Sequence, residues 1–353
     1  MSETETSESH SRPPTLSVVL PNYNHAHLLP RALDALLVQT RQPDKIIVVD
    51  DASTDGSIAV IEQFAARAPS IRIIRSERNC GAVASLDRGL KAATGTHVYF
   101  AAADDWVMSD FFEIALKAFE ENPQLRLFCG EAQVVDGASN LPTAIRPAVR
   151  PVYRAGLVSS EDVRRLLSQS DNWILTGAAV VRRDATSWAG GFNADVGSFS
   201  DGLLLRKIAI RHGFFFAPKV VMTWCIYPDS VSRKTVSELD KAQDSLAAVT
   251  AYLSRDPAFP DWYGPLFRRR WMFSVCRVAL GKKPVCRRTL EAMGPRSFLD
   301  RIVLGFCLGV LGRFAYVPAT AWLALRLRPY RLGALLRTAV SRYFERVTSK
   351  TPR

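Results

Sequence analysis

Residues 45–57 of the chain read KIIVVDDASTDGS, and this stretch decides the fold class. The apolar, largely β-branched run at 45–49 is typical of a strand that is buried on both faces. Two acids, Asp50 and Asp51, follow the run directly, and apolar residues then recur at helical spacing over residues 55–68. The stretch therefore predicts a strand, a turn and a helix, which form the first part of a βαβ unit.

The same alternation continues on both sides of this stretch. The apolar patterns predict strands at 16–20, 71–74, 97–101 and 125–129, and helices at 28–38, 82–93 and 110–121. Strands that alternate with helices form parallel sheets, so we expect an α/β fold with a doubly wound, mostly parallel sheet and helices on both faces. Such sheets bind ligands at the carboxyl ends of their strands, and a site is expected in the turns there.

The pattern is less regular in the second half of the chain. Pro and Gly residues between 136 and 154 predict a loop. Beyond this loop we expect helices at 160–167 and 201–212, and strand-like segments at 174–181, 214–216 and 220–226.

Paired acids end two of the predicted strands. Asp50 and Asp51 follow the second strand, and Asp104 and Asp105 follow the fourth. One acid of a pair can cap a following helix, but Asp104 and Asp105 lie too far ahead of the helix at 110–121 to do so. Since side chains alternate along an extended chain, one carboxylate of each pair should face the ligand crevice. A carboxylate there can accept hydrogen bonds from a nucleotide or bind a divalent cation.

Polar and aromatic residues also follow the first strand, in the order Pro21, Asn22, Tyr23 and Asn24. The Tyr23 ring offers a face on which a base can stack, and the Asn side chains offer donors and acceptors. The alternative is a simple turn with a packed tyrosine.

The glycine-rich phosphate loops of two large protein classes are absent from the sequence. It contains neither GxGxxG nor GxxxxGK[ST]. This argues against a dinucleotide-binding dehydrogenase and against a P-loop nucleotidase. Bound phosphates would instead need a metal ion and polar side chains.

Taken together, these segments resemble the family-2 inverting glycosyltransferases of the GT-A fold. The resemblance extends over about 16–234, and its pieces are residues 17–24, 46–57, 79–81 with Gly89, 103–105, 190–192 and 200–201. The individual pieces are short, and their order and spacing make the resemblance specific.

The resemblance implies a role for each of the matching residues. Nucleotide contacts are implied for Pro21, Tyr23, Asn24, Asp51, Ser53, Gly81 and Asp104, with Asp51 towards the base and Asp104 towards the ribose. Asp105 is implied as the ligand of a divalent metal, Mn²⁺ or Mg²⁺. Asp201 is implied as the catalytic base, and the sugar or acceptor region includes Gly190, Gly191 and Trp173, together with Thr176 and Gly177.

The sequence departs from the family pattern at four places. Ala102 stands where many members have an additional acid, and Ser200 stands where many have Glu before the base. Leu86-Asp87 replaces an Arg-Asn pair, and Tyr227 replaces a common His. The metal site therefore depends on Asp105 with Asp104.

Asp201 has a second interpretation, because it begins an apolar helical pattern and could be an ordinary helix cap. Asp195 lies slightly earlier in the same loop and is the competing candidate for the base.

The net charge of +12 is unevenly distributed along the chain. Residues 268–353 contain 19 Lys or Arg against three acids, so the preceding 267 residues carry a net −4. Arginines interleaved with apolar runs favour an anionic membrane surface over nucleic acid, and no nucleic-acid partner is expected. Arg313 interrupts the most apolar run, which argues against a spanning helix. The alternative is a helical layer packed on the catalytic domain.

These patterns divide the chain into three parts. Residues 1–14 are expected to be disordered, and 15–234 form the GT-A domain, with a nucleotide half at 15–130 and an acceptor half at 131–234. Residues 235–353 form a helical, basic C-terminal region. The six cysteines lack metal-ligand spacing, and no secretory signal is visible, so the expected location is the cytoplasm or the cytoplasmic face of the membrane.

The expected function is transfer of a sugar from a nucleoside-diphosphate sugar, most consistent with a UDP-linked donor, to a hydroxyl of a glycan or lipid-linked acceptor. Two alternatives belong to other classes. One is a sugar-phosphate nucleotidyltransferase, which needs a basic, glycine-rich N-terminal loop that the sequence lacks. The other is a non-catalytic protein that binds membranes or nucleic acid through its basic tail.

Overall fold

The computed structural model describes residues 13–170, 173–227, 230–311 and 314–348. The predicted disorder at 1–14 and the predicted interruption at Arg313 therefore lie largely outside the described residues. Ten strands are found in the described part: β1 (Leu16–Asn22), β2 (Lys45–Asp50), β3 (Ile71–Arg75), β4 (His97–Phe100), β5 (Trp106–Val107), β6 (Leu127–Asp136), β7 (Pro142–Arg146), β8 (Gly156–Val158), β9 (Ala179–Arg182) and β10 (Phe214–Ile226).

The helices surround one sheet and continue to the end of the described chain. They are α1 (Leu29–Leu37), α2 (Ser57–Arg67), α3 (Ala82–Ala92), α4 (Phe111–Glu121), α5 (Ser160–Gln169), α6 (Arg183–Trp188), α7 (Ser200–His212), α8 (Val231–Ser237), α9 (Leu239–Arg255), α10 (Tyr263–Gly281), α11 (Arg287–Met293), α12 (Phe298–Val310), α13 (Tyr316–Leu327) and α14 (Leu332–Thr348). Two short 3-10 helices occupy Thr176–Ala178 and Ala194–Phe199.

The sheet has the strand order β3-β2-β1-β4-β9-β6-β10-β5, with β7 beside β6 and β8 beside β10. Strands β1, β2, β3, β4, β6 and β10 all run in one direction. The antiparallel strands β5, β7, β8 and β9 have only two to five residues each. The prediction of an α/β fold with a mostly parallel sheet is confirmed.

Both faces of the sheet are covered, as predicted. Alternate residues of β1 belong to two different hydrophobic clusters: Val18 and Leu20 pack with α1, α2 and α4, whereas Val19 packs with α3 and α7. The fit to α3 is close, because a Cβ on Gly89 would lie 2.3 Å from Cγ1 of Val19. A glycine is therefore required there by packing.

Three predictions of local structure were wrong in detail. The loop predicted at 136–154 contains β7, which exists through its pairing with β6. The two late strands are one strand, β10, whose register shifts between Phe216 and Val220, around Pro218, which has no backbone N–H to donate. The segment predicted to be strand-like at 174–181 contains the 3-10 helix Thr176–Ala178, and its strand, β9, begins only at Ala179.

The C-terminal region contributes to the core of the domain. Apolar residues of α9 and α10 belong to the same cluster as α7. Helices α12 and α13 form an antiparallel hairpin, in which Asp300 at the start of α12 accepts hydrogen bonds from Arg326 (2.7 Å) and Trp322 (3.1 Å) near the end of α13. Helix α13 packs against α10. The predicted boundary at residue 234 stays a prediction.

A buried ionic cluster fixes α14 to the sheet. The side chains of Arg150 and Glu131 are each only 2% exposed. Arg150 donates to both carboxylate oxygens of Glu131, at 2.9 and 2.8 Å. From α14, Arg342 donates to Glu131 at 2.6 Å, and Glu345 accepts a hydrogen bond from Arg150 at 2.9 Å. A charge that loses its partner in such a place is costly because it stays desolvated.

We expect Arg150→Ala to lower the free energy of unfolding by about 3 kcal/mol, because it leaves Glu131 and Glu345 without their shared partner. Urea denaturation followed by circular dichroism measures this. Arg165→Ala is the control, since Arg165 pairs with Asp162 on the surface and its side chain is 70% exposed. Arg165→Ala should lower the free energy of unfolding by less than about 1 kcal/mol. Equal losses in the two variants would contradict the structural role of the cluster.

Candidate active site

The turns after β1 and β2 are joined to each other at the carboxyl edge of the sheet. The backbone N–H of Asn24 donates to Oγ of Ser53 at 3.0 Å, and Oδ1 of Asn24 accepts the N–H of Thr54 at 2.8 Å. Asn24 and Ala52 have positive φ angles of 56° and 62°. Strained backbone of this kind persists where the surrounding contacts hold it, and it is common at functional sites.

The first acid pair organises these turns. Asp50 accepts hydrogen bonds from the Asn22 side chain (2.9 Å) and from the N–H of Ser53 (3.0 Å). Asp51 accepts the backbone N–H groups of Cys80 (3.0 Å) and Gly81 (2.7 Å). Both carboxylates are nearly fully buried. Asp51 therefore fastens the turn after β3 to the turn after β2.

These bonds bring most of the predicted nucleotide residues into one connected set of turns. Gly81 begins α3 with φ 88°, a left-handed value at which a side chain would be strained. Tyr23 is 41% exposed and presents its ring at this edge. Pro21 is half-buried in β1 beside it. An exposed aromatic ring next to fixed polar groups is suited to stacking a base.

The second acid pair lies at the same edge, after β4. Oδ1 of Asp105 accepts the backbone N–H of Cys225 in β10 at 2.8 Å. Burial, followed by the neighbouring charge of Asp104, raises the pKa of Asp105 well above its usual range. A bound cation would offset both effects, so the two carboxylates fit a divalent metal that takes one or two protein ligands plus donor phosphates. Among the described residues, no cluster of three or more His, Cys, Asp or Glu side chains could hold a metal alone.

Arg31 is a site residue that sequence reasoning missed. Its guanidinium lies 3.8 Å from the centre of the Trp106 ring and donates to the carbonyl oxygen of Asp104 at 3.5 Å. It also donates to the hydroxyl of Tyr227, the residue that replaces the common His. An arginine in a helix has no distinguishing sequence signal, and only the packing of α1 beside β5 reveals it.

Asp201 lies in the first turn of α7. Its Oδ1 accepts the N–H of Gly202 at 2.6 Å, and its carboxylate is hydrogen-bonded to the Thr176 side chain. Burial is the largest influence on Asp201 and raises its pKa above the usual value. Helix α7 has no side-chain cap from its N-cap residue, Phe199. A carboxylate with a raised pKa is a stronger proton acceptor than an exposed one.

The competing acid, Asp195, has a different environment. It is exposed, and it lines a groove of about 1170 Å³ between α7 and α9 whose lining includes Trp188 and Lys207 but neither Asp105 nor Asp201. The structure thus separates Asp195 from the paired acids.

The 3-10 helix Thr176–Ala178 links the two halves of the site. Thr176 is bonded to Asp201, and a Cβ on the next residue, Gly177, would lie 3.9 Å from Oδ2 of Asp105. The hydroxyl of Tyr99 in β4 donates to the carbonyl of Gly177 at 3.0 Å and holds the segment in place. Asp105 therefore lies beside Gly177, and Asp201 is bonded to the preceding residue, Thr176.

The glycine pair between α6 and α7 forms a tight turn. Gly190 and Gly191 have φ values of 93° and 70°, and the Gly191 N–H donates to the carbonyl of Thr186 at 2.9 Å. The turn directs the ring of Phe192 onto Phe100 at the end of β4, with centroids 5.0 Å apart. The glycines are needed for this reversal, and their contact with sugar or acceptor stays a prediction.

The expectation for Trp173 is corrected by the structure. Its side chain is 1% exposed and stacks on Phe214 with ring centroids 4.9 Å apart. Its indole N–H donates to the carbonyl of Ser170 at 2.6 Å. The indole is thus part of the core, and its side chain is shielded from an acceptor.

Comparison with known proteins identifies sequence relatives of the first half of the chain. Residues 17–156 match the family model described as glycosyl transferase family 2. The chain is 34% identical over 117 residues to the uncharacterised glycosyltransferase EpsJ of Bacillus subtilis, a match that covers 33% of this chain and 34% of EpsJ. The matched part thus spans about a third of this curated relative.

Two solved structures share the fold over most of the chain. TarS 1–349 of S. aureus in complex with UDP-GlcNAc has a TM-score of 0.57 at 16% identity, covering 90% of this chain and 92% of that chain. The mannosyltransferase PcManGT from Pyrobaculum calidifontis, in complex with GDP-Man and Mn²⁺, has a TM-score of 0.56 at 19% identity, covering 95% and 88%.

The sheet topology and these two solved structures show that the chain has a GT-A-like fold. Residues 17–156 match the family-2 glycosyltransferases in sequence, and the curated relative EpsJ is a glycosyltransferase. The resemblance inferred from the sequence is thereby confirmed.

We expect Asp105→Asn to make the metal-free protein more stable at neutral pH. The raised pKa of Asp105 means that its charged form is disfavoured in the folded state. The destabilisation by the charged Asp105 carboxylate is complete above the raised pKa of Asp105. It becomes smaller as the pH falls and vanishes in the ordinary carboxyl range, where the carboxyl group is protonated in both the folded and the unfolded state. Asparagine has nearly the same shape as aspartate but no charge, so the variant lacks this destabilisation. The stability gained by the substitution should therefore shrink as the pH falls.

Thermal unfolding with EDTA at several pH values measures this gain. Asp55→Asn serves as the control, because Asp55 is exposed and accepts backbone N–H groups of Ala26 and Ser57. It should not stabilise the protein. A less stable Asp105→Asn protein at neutral pH without metal would show that burial is not the dominant influence on Asp105.

Proposed function

We propose that the protein is an inverting glycosyltransferase that moves a sugar from a nucleoside-diphosphate sugar to an acceptor hydroxyl. The observation that carries the proposal is the 3-10 helix Thr176–Ala178, which borders Asp105 on one side and bonds to Asp201 on the other. The acid that we propose binds the donor and the acid that we propose accepts the proton thus flank the same short segment. This is the arrangement that a direct displacement at a sugar carbon requires.

The donor binds at the joined turns after β1, β2 and β3. Tyr23 stacks on the base, and Asp51 holds the turn at Gly81 next to it. Asp104 accepts hydrogen bonds from the ribose. The solved relatives were captured with UDP-GlcNAc and GDP-Man, which supports a nucleotide-sugar donor here, and we propose a UDP-linked one.

Asp105, together with Asp104, would hold a divalent metal, Mn²⁺ or Mg²⁺. When bound, such an ion supplies positive charge that stabilises the leaving diphosphate. Arg31 contacts the Asp104 carbonyl and the Trp106 ring, on either side of Asp105, and so keeps Asp105 in position. The presence of Mn²⁺ in the PcManGT complex supports this proposal.

Asp201 accepts the proton of the acceptor hydroxyl as that oxygen attacks the anomeric carbon. The attack comes from the face opposite the diphosphate, so the configuration at that carbon is inverted. The Thr176 hydroxyl and the Gly202 N–H orient the carboxylate. The acceptor is a hydroxyl of a glycan or of a lipid-linked molecule.

We expect Asp201→Asn to lower kcat by at least about 100-fold, because general-base assistance is worth roughly 10²–10⁴ in rate. Donor binding, measured by nucleotide-dependent thermal stabilisation, should persist. In the unmodified protein, kcat/KM should fall as the pH drops through the raised pKa of Asp201, because the base must be unprotonated to act.

The matched control is Asp195→Asn, an exposed acid in the same loop that should keep full activity. Activity that survives Asp201→Asn but is lost in Asp195→Asn would transfer the role of the base to Asp195.

We also expect UDP-sugars with Mn²⁺ to raise the melting temperature, since a ligand that binds only the folded state stabilises it. In Asp105→Asn the metal-dependent part of this shift should disappear. A panel of UDP, GDP and dTDP sugars, each with and without EDTA, identifies the donor. Stabilisation by a nucleoside triphosphate, with pyrophosphate release from it and a sugar phosphate, would instead indicate a nucleotidyltransferase.

A further inference from the structure

Helix α12 exposes an apolar stripe that the fold leaves uncovered. Phe298, Ile302, Phe306 and Val310 follow one another at intervals of four residues, and they are between 51% and 74% exposed. Residues at this interval lie on the same face of a helix. The opposite face of α12 carries Cys307, which is buried in the core. Large exposed apolar patches of this kind mark interaction sites.

The neighbouring helix continues this surface. On α13, the side chains of Val317 and Leu325 are at least 60% exposed, and Ala321 lies between them at the same spacing. The hydrogen bonds from Arg326 and Trp322 to Asp300 hold α13 beside α12. The two stripes thus belong to one hairpin, and we call them together the hairpin face.

Helix α14 carries a third stripe of the same kind. Leu332, Leu336, Val340 and Phe344 are each more than half exposed and are also spaced by four residues. Arg331 and Arg337 lie exposed beside them. A helix with an apolar stripe and exposed cations is typical of one that lies in a membrane interface.

The charges around these stripes have one sign. Residues 296–348 contain nine arginines and two acids. One acid, Asp300, is fully buried against Arg326, and the other, Glu345, pairs with Arg150. Because each acid is already paired, neither offsets the other exposed arginines, such as Arg301, Arg328 and Arg331. The surface is therefore complementary to an anionic partner.

No helix in the described ranges is both long enough and apolar enough to cross a membrane.

We propose that the hairpin face docks in the plane of an anionic phospholipid surface, with α14 as a second contact. The apolar side chains enter the boundary between headgroups and acyl chains, and the arginines bind lipid phosphates. Anionic lipids are concentrated in the cytoplasmic leaflet, so the protein is peripheral on that face. The proposal concerns helices that do not carry the paired acids, and it does not depend on the proposed sugar transfer.

A second copy of the chain is the competing occupant. A symmetric dimer through the hairpin face would bring each copy's arginines towards those of the other, and like charges across an interface disfavour association. An anionic lipid bilayer offers both an apolar interior and negatively charged headgroups. It therefore complements both the apolar stripes and the exposed arginines of the hairpin face.

The docking surface is fixed to the rest of the protein. Arg270 of α10 donates to the carbonyls of Leu167 at the end of α5 (2.8 Å) and of Pro329 just before α14 (3.2 Å). The Arg150 cluster holds α14 against β6. Binding to a surface would therefore fix the orientation of the catalytic domain, which suits an acceptor that is itself attached to lipid.

The test is cosedimentation of the full-length protein with vesicles of phosphatidylcholine alone or mixed with phosphatidylglycerol. We expect binding to the mixed vesicles that weakens with salt, and little binding to phosphatidylcholine alone. Replacement of two exposed side chains, Ile302→Gln with Phe306→Gln, should weaken binding by about tenfold or more, because each loses its apolar contact with lipid. Leu157→Gln, at an exposed apolar position on β8, is the matched control and should bind normally.

Three results would overturn the proposal: no binding of the unmodified protein to mixed vesicles, equal binding to both vesicle types, or unchanged binding of the double variant. A concentration-dependent dimer in sedimentation experiments, dispersed by the double variant, would assign the hairpin face to a second copy. Nucleotide-dependent thermal stabilisation is measured on the same preparations, so a failure of the proposed transfer is seen separately from a failure of membrane docking.

Discussion

Burial of the parallel strands β1, β2 and β4 on both faces is the constraint on which the rest of the structure depends. The apolar side chains of these strands pack against one helical layer or the other, and acidic and amide side chains follow at the carboxyl edge. The backbone N–H groups of the turns there need acceptors, and Asp50 and Asp51 supply them. Asp50 and Asp51 therefore stabilise the turns at the edge of the sheet where we propose that the donor binds.

The direction of one short strand then completes the site. Strand β9 runs antiparallel between β4 and β6, so its first residue lies at the edge where β4 ends. The 3-10 helix Thr176–Ala178 immediately precedes β9 and is delivered to the same edge. From there Thr176 reaches Asp201, and Gly177 borders Asp105. A strand in the parallel direction would have placed this segment at the opposite edge.

Sequence patterns predicted the elements that depend on local periodicity. Apart from the two-residue strand β5, the strands and helices of the first half could be read from short stretches, as could the acid pairs and, to within one residue, the start of α7. The errors have a common cause, which is dependence on distant partners. Strand β7 exists through β6, Trp173 is buried through Phe214, and Arg31 reaches the site through the packing of α1 beside β5. None of these partners is close in sequence.

The sequence by itself determined the fold class, the family resemblance and which polar residues follow the strands, because buried strands, paired acids and glycine turns leave local patterns. It also determined that the C-terminal region is basic and apolar together. Only the tertiary structure decided which of these groups meet and which faces stay open. It placed Thr176 against Asp201, and it left the apolar stripe of α12 towards solvent while Asp300 on the same helix was buried. The physical reason is that contact and exposure depend on packing between elements far apart in the chain, whereas periodicity records only which residues share a face.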